Sequence, residues 1–301
     1  MIDPEVLPYV PRVEVRSRTV PEMRGVLARA AAGISGCAVH AVVERTIPGA
    51  AGPLPVRLYY PHEGSAHGLI VSLPGGGWCL GGLDTHDAIC RYLCRVSGLA
   101  VASVAYRLAP ENKFPSAVLD ADAATRWLLD HAESVGCHPG RVALLGESAG
   151  ANLAAVTAQR LRGRAGPRLR CQVLIFPATD FRMQAPSLAL NASTPSLDAS
   201  MVAWCREQYL RSEADIVDPD ASPLLRRDMR GCPPAFVMTG ELDPLRDEGE
   251  AYARRLVEAG VQVTMKRYLG MPHGLVGLPI ELAKVREMYE DIAQVVRRHG
   301  C

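Results

Sequence analysis

The chain has 301 residues, nearly half of them apolar, with 33 Lys and Arg against 32 Asp and Glu and a formal charge of +1. That length can hold a large core in one domain, and interspersed, balanced charge gives no basis for binding nucleic acid or an anionic membrane. No apolar run reaches the roughly 18 residues of a membrane span, the start lacks a secretory signal's basic and apolar regions, and nine cysteines form no C-x-x-C or zinc-like spacing, so reduced thiols, a cytoplasmic location and no metal are expected.

Taken in chain order, residues 1–35 carry four prolines before Glu22 and then an Arg- and Ala-rich stretch that predicts a helix over 21–32. This segment precedes the first strand, so it is either a disordered tail or part of a lid. Strands are predicted over 39–47 and 55–60, joined by a Pro/Gly turn, as an antiparallel edge. A buried strand at 68–74 runs into Gly75, Gly76 and Gly77. A helix at 85–98, a strand at 99–106 and a long amphipathic helix at 115–135 follow. The next strand, 141–146, leads straight into Gly146-Glu147-Ser148-Ala149-Gly150 and a helix reaching Leu161. A strand at 169–176 closes the first half of the chain.

Residues 183–222 interrupt the alternation with three prolines and one helical piece at 198–210, too long for a simple connection and more suited to a functional insertion. Alternation then resumes with strand 235–240, helix 245–259, strand 261–268 and helix 279–298. Strand–helix repetition of this kind predicts a mainly parallel sheet covered on both faces.

The chemistry-bearing stretch is the G-x-S-x-G pentapeptide. Alone it is a weak signal, because a glycine-rich strand-to-helix turn can produce it without function. In this setting the glycines permit a sharp turn that presents Ser148, while the following helix directs its first amide, that of Ala149, toward a developing oxyanion. The three bare amides of Gly75, Gly76 and Gly77 can add donors; a phosphate-cradling use of them finds no supporting motif. A nucleophilic serine also needs a base and a carboxylate that holds the base's tautomer. Only His273 and His299 follow Ser148. His273 occupies a Gly/Pro-rich loop after the last strand, whereas His299 ends a helix. Glu241, Asp243 and Asp247 compete as the acid. Asp243, just past its strand, is placed to lean across to His273, although capping the next helix is its alternative use.

The motifs Pro74-Gly75-Gly76-Gly77-Trp78, Tyr106-Arg107-Leu108-Ala109-Pro110-Glu111 with Phe114-Pro115, the Ser148 pentapeptide, Asp243-Pro244-Leu245-Arg246-Asp247-Glu248-Gly249 and Gly270-Met271-Pro272-His273-Gly274 occur in one order. Together they resemble the hormone-sensitive-lipase-like carboxylesterases of the α/β-hydrolase fold, over roughly residues 40–300. The resemblance implies a mostly parallel central sheet with helices on both faces and a helical cap. It implies Ser148, Asp243 and His273 as a triad, with Gly76, Gly77 and Ala149 as the oxyanion hole. It further implies an N-terminal cap segment over 1–35 and a cap insertion over 183–222, with the core split into 36–182 and 223–301. Pro74 departs from the family, which places there a histidine that orients the oxyanion loop; Glu147 replaces the commoner Asp.

The implied activity is serine hydrolysis of short-to-medium acyl esters through an acyl-enzyme, on a small-molecule ester, with no cofactor and no metal. A homodimer is compatible with these readings. Lactone hydrolysis or deacetylation of a secondary metabolite could use the same triad. A non-catalytic ligand receptor on the same fold is disfavoured by the presence of His273, since the plant hormone receptors that resemble this family lack the base.

Overall fold

The computed structural model describes residues 1–10, 18–34, 36–64, 66–274 and 277–301. Its first two strands, β1 (Ala41–Gly49) and β2 (Gly52–Tyr60), form an antiparallel hairpin. The prolines read from sequence as a long turn instead belong to the ladder. Pro48 pairs with Pro53 and Gly49 with Gly52, leaving Ala50 and Ala51 as the loop. An outer hairpin tolerates proline because this stretch has no inner strand waiting for the missing N–H: β2 meets its inner neighbour only from Val56 to Tyr59.

The sheet is completed by β3 (His67–Leu73), β4 (Ala100–Val104), β5 (Cys137–Glu147), β6 (Leu169–Ile175), β7 (Ala235–Gly240) and β8 (Val263–Tyr268), in the spatial order β1-β2-β4-β3-β5-β6-β7-β8. Only β1–β2 and β2–β4 are antiparallel; every later neighbouring pair is parallel. Strands buried on both faces send alternate side chains to two cores. Leu69, Val71, Val142 and Leu144 enter one, while Ile70, Val101, Ala143 and Leu145 enter the other.

Helices cover both faces. α2 (Asp87–Ser97) and α8 (Ala283–Arg298) pack together on one, with Leu93, Met288 and Ile292 in its core. On the other lie α3 (Ser116–Asp130), α4 (Ala149–Leu161) and α7 (Arg246–Glu258). Nearly every residue of α4 is buried, and its alanines let it sit close against β5 and β6. The long helix expected over 115–135 stops at Asp130, where His131 leaves helical geometry and a 3-10 turn, Ala132–Val135, ends at left-handed Gly136. The last helix likewise begins four residues later than expected, because Leu282 is extended. No described helix is long and apolar enough to cross a membrane.

Two stretches stand apart from these layers. α1 (Val20–Ala32) opens with a capping box between Thr19 and Glu22, and Arg24 fixes it by donating to the carbonyls of Cys79 and Ala109 and pairing with Glu111. Between β6 and β7 lie α6 (Ala199–Tyr209) and, before it, α5 (Pro186–Leu190), which sequence periodicity did not reveal. One turn of helix has little local signal. α5 is held from outside, its Ser187 exchanging hydrogen bonds with Pro244 and Asp247 at the start of α7.

Candidate active site

β5 ends at Glu147 and α4 begins at Ala149, so Ser148 is the single residue between strand and helix. It holds φ 55° and ψ −115°, a conformation that costs a non-glycine residue on the order of 1–3 kcal/mol. The surroundings enforce it. A Cβ at Gly146 would lie 2.1 Å from the Gly150 carbonyl oxygen, and one at Gly150 would lie 1.9 Å from that of Leu73. Only bare glycines let the elbow close so tightly. The Ser148 N–H donates to Ile175 at 2.7 Å, which pins the turn to β6 and leaves the hydroxyl free to point outward.

That hydroxyl meets a histidine. Ser148 Oγ is 2.9 Å from His273 Nε2, and His273 Nδ1 is 2.8 Å from Asp243 Oδ2. With a carboxylate at Nδ1, the proton belongs on Nδ1, and Nε2 accepts from the serine. His273 is buried, and Ser196 donates to its carbonyl at 2.8 Å, tying the His273 loop to the segment between α5 and α6. Burial pulls the imidazole pKa down, but the charge and hydrogen bond of Asp243, helped by the Glu147 charge, outweigh it, and the net shift is upward.

The three candidate carboxylates are separated by the fold. Asp243 has no solvent exposure and turns Oδ1 to the Leu245 N–H at 2.8 Å, so it serves both the histidine and the start of α7. Asp247 faces away, accepting from Ser187 N–H at 2.8 Å and from Arg246 Nε at 2.7 Å. Glu241 accepts the Gly270 N–H at 2.7 Å and so holds the loop that carries His273. His299, the other histidine after Ser148, caps the C-terminal end of α8, its N–H donating to carbonyls of that helix.

Gly76 and Gly77 line the same cavity as Ser148 and His273. Both have positive φ, 109° and 59°, and Gly76 offers its carbonyl to the amides of Cys79 and Leu80, which rolls the loop into a tight turn. Ala149, as the first residue of α4, has no carbonyl a turn earlier in the helix to take its N–H. Pro74 is buried, and its carbonyl accepts from Tyr106 Oη at 2.6 Å. Glu147 packs against Gly75, where a Cβ would lie 1.6 Å from Oε2.

The cavity has a volume of about 1290 Å³. Its walls combine Gly76, Gly77, Ser148 and His273 with Met23 and Leu27 from α1 and Met201, Val202 and Cys205 from α6. Sequence reading missed Glu248, whose side chain accepts the Thr179 and Asp180 amides at 2.6 and 3.3 Å beside this cavity. Burial pushes its carboxyl up to about 8, against the opposing pull of those amides. Its place in the Asp243-to-Gly249 motif was the available signal. No described cluster of His, Cys, Asp and Glu could hold a metal ion.

A family model described as the alpha/beta hydrolase fold matches residues 70–277. The chain is 47% identical over 244 residues to the carboxylic ester hydrolase LipN of Mycobacterium tuberculosis, covering 79% of this chain and 65% of that protein, just under two thirds of its length. It is 38% identical over 252 residues to an ethyl acetate hydrolase of Pseudomonas putida, covering 82% of this chain and 79% of that one. Among solved structures, an esterase of Pyrobaculum calidifontis superposes with a TM-score of 0.94 at 38% identity, covering 99% of both chains.

Proposed function

The chain belongs to the α/β-hydrolase fold family, among its hormone-sensitive-lipase-like carboxylesterases, and on that premise we propose that it hydrolyses short-to-medium acyl esters through Ser148, His273 and Asp243. The observation that carries the reading is the continuous relay, 2.9 Å from Ser148 Oγ to His273 Nε2 and 2.8 Å from Nδ1 to Asp243, in the wall of a large apolar cavity. As Ser148 Oγ attacks the ester carbonyl, His273 takes its proton and Asp243 stabilises the imidazolium. The amides of Gly76, Gly77 and Ala149 receive the oxyanion. His273 then protonates the departing alcohol, and a water attacks the acyl-enzyme by the same route in reverse.

Residues 1–35 and 183–222 are read as a cap over a core of 36–182 and 223–301, with residues 11–17, 35, 65, 275 and 276 lying outside the described ones. Support comes from α1 and α6, whose Met23, Leu27, Met201 and Val202 give the cavity an apolar wall. A pocket walled by side chains on two helices suits dissolved esters better than an oil surface. A p-nitrophenyl ester series should therefore show its highest kcat/KM between C2 and C6, with little action on emulsified triolein. Failure of the folded protein to turn over any of these esters would overturn the reading; preference for triolein would overturn the substrate class.

The raised pKa of His273 sets the acid limb of the pH profile. Imidazolium cannot accept the Ser148 proton, so activity falls as pH drops through the folded pKa. The midpoint of kcat/KM should lie above about 6.5, the ordinary histidine value. Because the Glu147 charge supports the imidazolium, Glu147→Gln should move that midpoint to lower pH. A shift to higher pH would contradict this role for the Glu147 charge.

A further inference from the structure

His86, at the head of α2 and outside every motif singled out in the sequence, touches the loop that carries Gly76 and Gly77. Its Nε2 lies 3.0 Å from the Gly75 amide nitrogen. An amide N–H can only donate, so Nε2 must be the bare nitrogen and the proton must sit on Nδ1. The neighbouring contacts agree. Nδ1 is 3.0 Å from Thr85 Oγ1, which itself donates to the Gly82 carbonyl at 3.0 Å and accepts from the Gly82 N–H at 2.9 Å. Thr85 has one proton, already used toward Gly82, so it accepts from Nδ1–H. Each donor in this short relay has one acceptor, and the Glu147 carboxylate, 3.6 Å from Nε2, lies beyond hydrogen-bond reach.

The Gly75 N–H and the Pro74 C=O belong to one planar peptide group. Its carbonyl end is held by Tyr106 Oη at 2.6 Å and its amide end by His86. Tyr106 is 4% exposed and His86 7%, so neither bond competes with bulk water. Gripped from both ends, the plane cannot rotate about its flanking bonds. The next two residues, Gly76 and Gly77, have no side chains of their own to fix their direction, and both occupy positive φ. The Gly76 N–H lies one peptide beyond the clamped plane and takes its direction from it, whereas the Gly77 N–H shares a peptide group with the Gly76 carbonyl, which the Cys79 and Leu80 amides hold separately.

We propose that His86, together with Tyr106, is a positioning residue that clamps the Pro74–Gly75 peptide and so aims the oxyanion donor of Gly76; this rests on the reading of Ser148 as nucleophile. His86 lines the cavity, but both of its ring nitrogens are taken up by Gly75 and Thr85. Its effect is confined to the tetrahedral species, which alone needs the amides correctly directed.

The test uses His86→Phe, which removes the acceptor, His86→Gln, whose Oε1 can take the Gly75 N–H, and Tyr106→Phe, which releases the carbonyl end. Each is measured for kcat and KM on a p-nitrophenyl ester, for thermal melting, and for affinity toward a trifluoromethyl ketone, which adds a serine hydroxyl to form a tetrahedral oxyanion. His86→Phe should lose about 10- to 100-fold in kcat, with KM within about threefold and ketone affinity falling in parallel. His86→Gln should recover most of that loss. If His86→Phe does not fold, Tyr106→Phe carries the test with the same expected pattern at the lower end of the range. A folded His86→Phe, or in its place a folded Tyr106→Phe, with wild-type kcat and ketone affinity overturns the clamp. So does a Gln variant as impaired as Phe, which would make His86 a packing residue. A wild-type enzyme that hydrolyses the ester but forms no Ser148 adduct with the ketone would instead sink the nucleophile assignment.

Discussion

Replacing Ser148 by alanine is expected to leave the fold intact and to lower kcat by at least about 10³-fold. The backbone contacts that shape the elbow, the Ser148 N–H to Ile175 and its carbonyl to the Asn152 N–H, do not involve the side chain. Alanine keeps the Cβ and so the same strained φ, and the one hydrogen bond lost is that to His273. Activity that remains would come from the oxyanion amides and from binding, as in other serine hydrolases stripped of their nucleophile. A fluorophosphonate should label the wild type and leave the alanine variant unmodified. Labelling of the variant, or full turnover by it with an unchanged melt, removes Ser148 from the mechanism. Ser148→Gly offers a check on the strain itself: glycine accepts φ 55° at little cost, so this inactive variant should melt no lower than Ser148→Ala, against the usual penalty for glycine.

Much of this architecture could be read from the chain because its signals are local. A strand buried on both faces is a run of apolar residues, and the alternation of strands and helices fixes a parallel sheet. The elbow is legible because Gly146 and Gly150 have no substitute at contact distances near 2 Å. What was not legible is held by tertiary partners. α5 exists through the bonds of Ser187 to α7, and Pro48 and Pro53 join a strand because of where the hairpin sits in the sheet. The pentapeptide indicated a nucleophile, while the partners of Pro74 and Gly75 lay far along the chain in Tyr106 and His86. A histidine on its own in a Thr-His-Asp sequence carries no mark of the amide it accepts. The three carboxylates after β7 posed the hardest case. Position after the strand and the family resemblance favoured Asp243 over Glu241 and Asp247, and the directions of the three side chains separate them in the structure.

Those directions make Asp243→Asn the sharpest test of the site. Asp243 answers two N–H donors at once, Leu245 through Oδ1 at 2.8 Å and His273 Nδ1 through Oδ2 at 2.8 Å. A carboxylate can do this because both of its oxygens accept; an asparagine has one oxygen and one NH₂. If the amide oxygen keeps Leu245, the NH₂ faces Nδ1, the histidine must carry its proton on Nε2, and Ser148 loses its base. If the amide flips to serve His273, two donors confront each other at Leu245 in a fully buried position, and helix α7 loses a bond at its start. The first arrangement costs activity and the second costs stability as well, so neither restores the wild type. A loss of about 10⁴-fold in kcat is expected, the size seen when a triad carboxylate becomes its amide. Asp247→Asn should behave differently. Its oxygens accept from Ser187 and Arg246 without touching His273, so kcat should stay within about tenfold while the melting temperature falls. Kinetics and melts on the two variants separate these outcomes. Should Asp247→Asn prove the worse for kcat with its melt unchanged, the relay drawn through Asp243 is wrong.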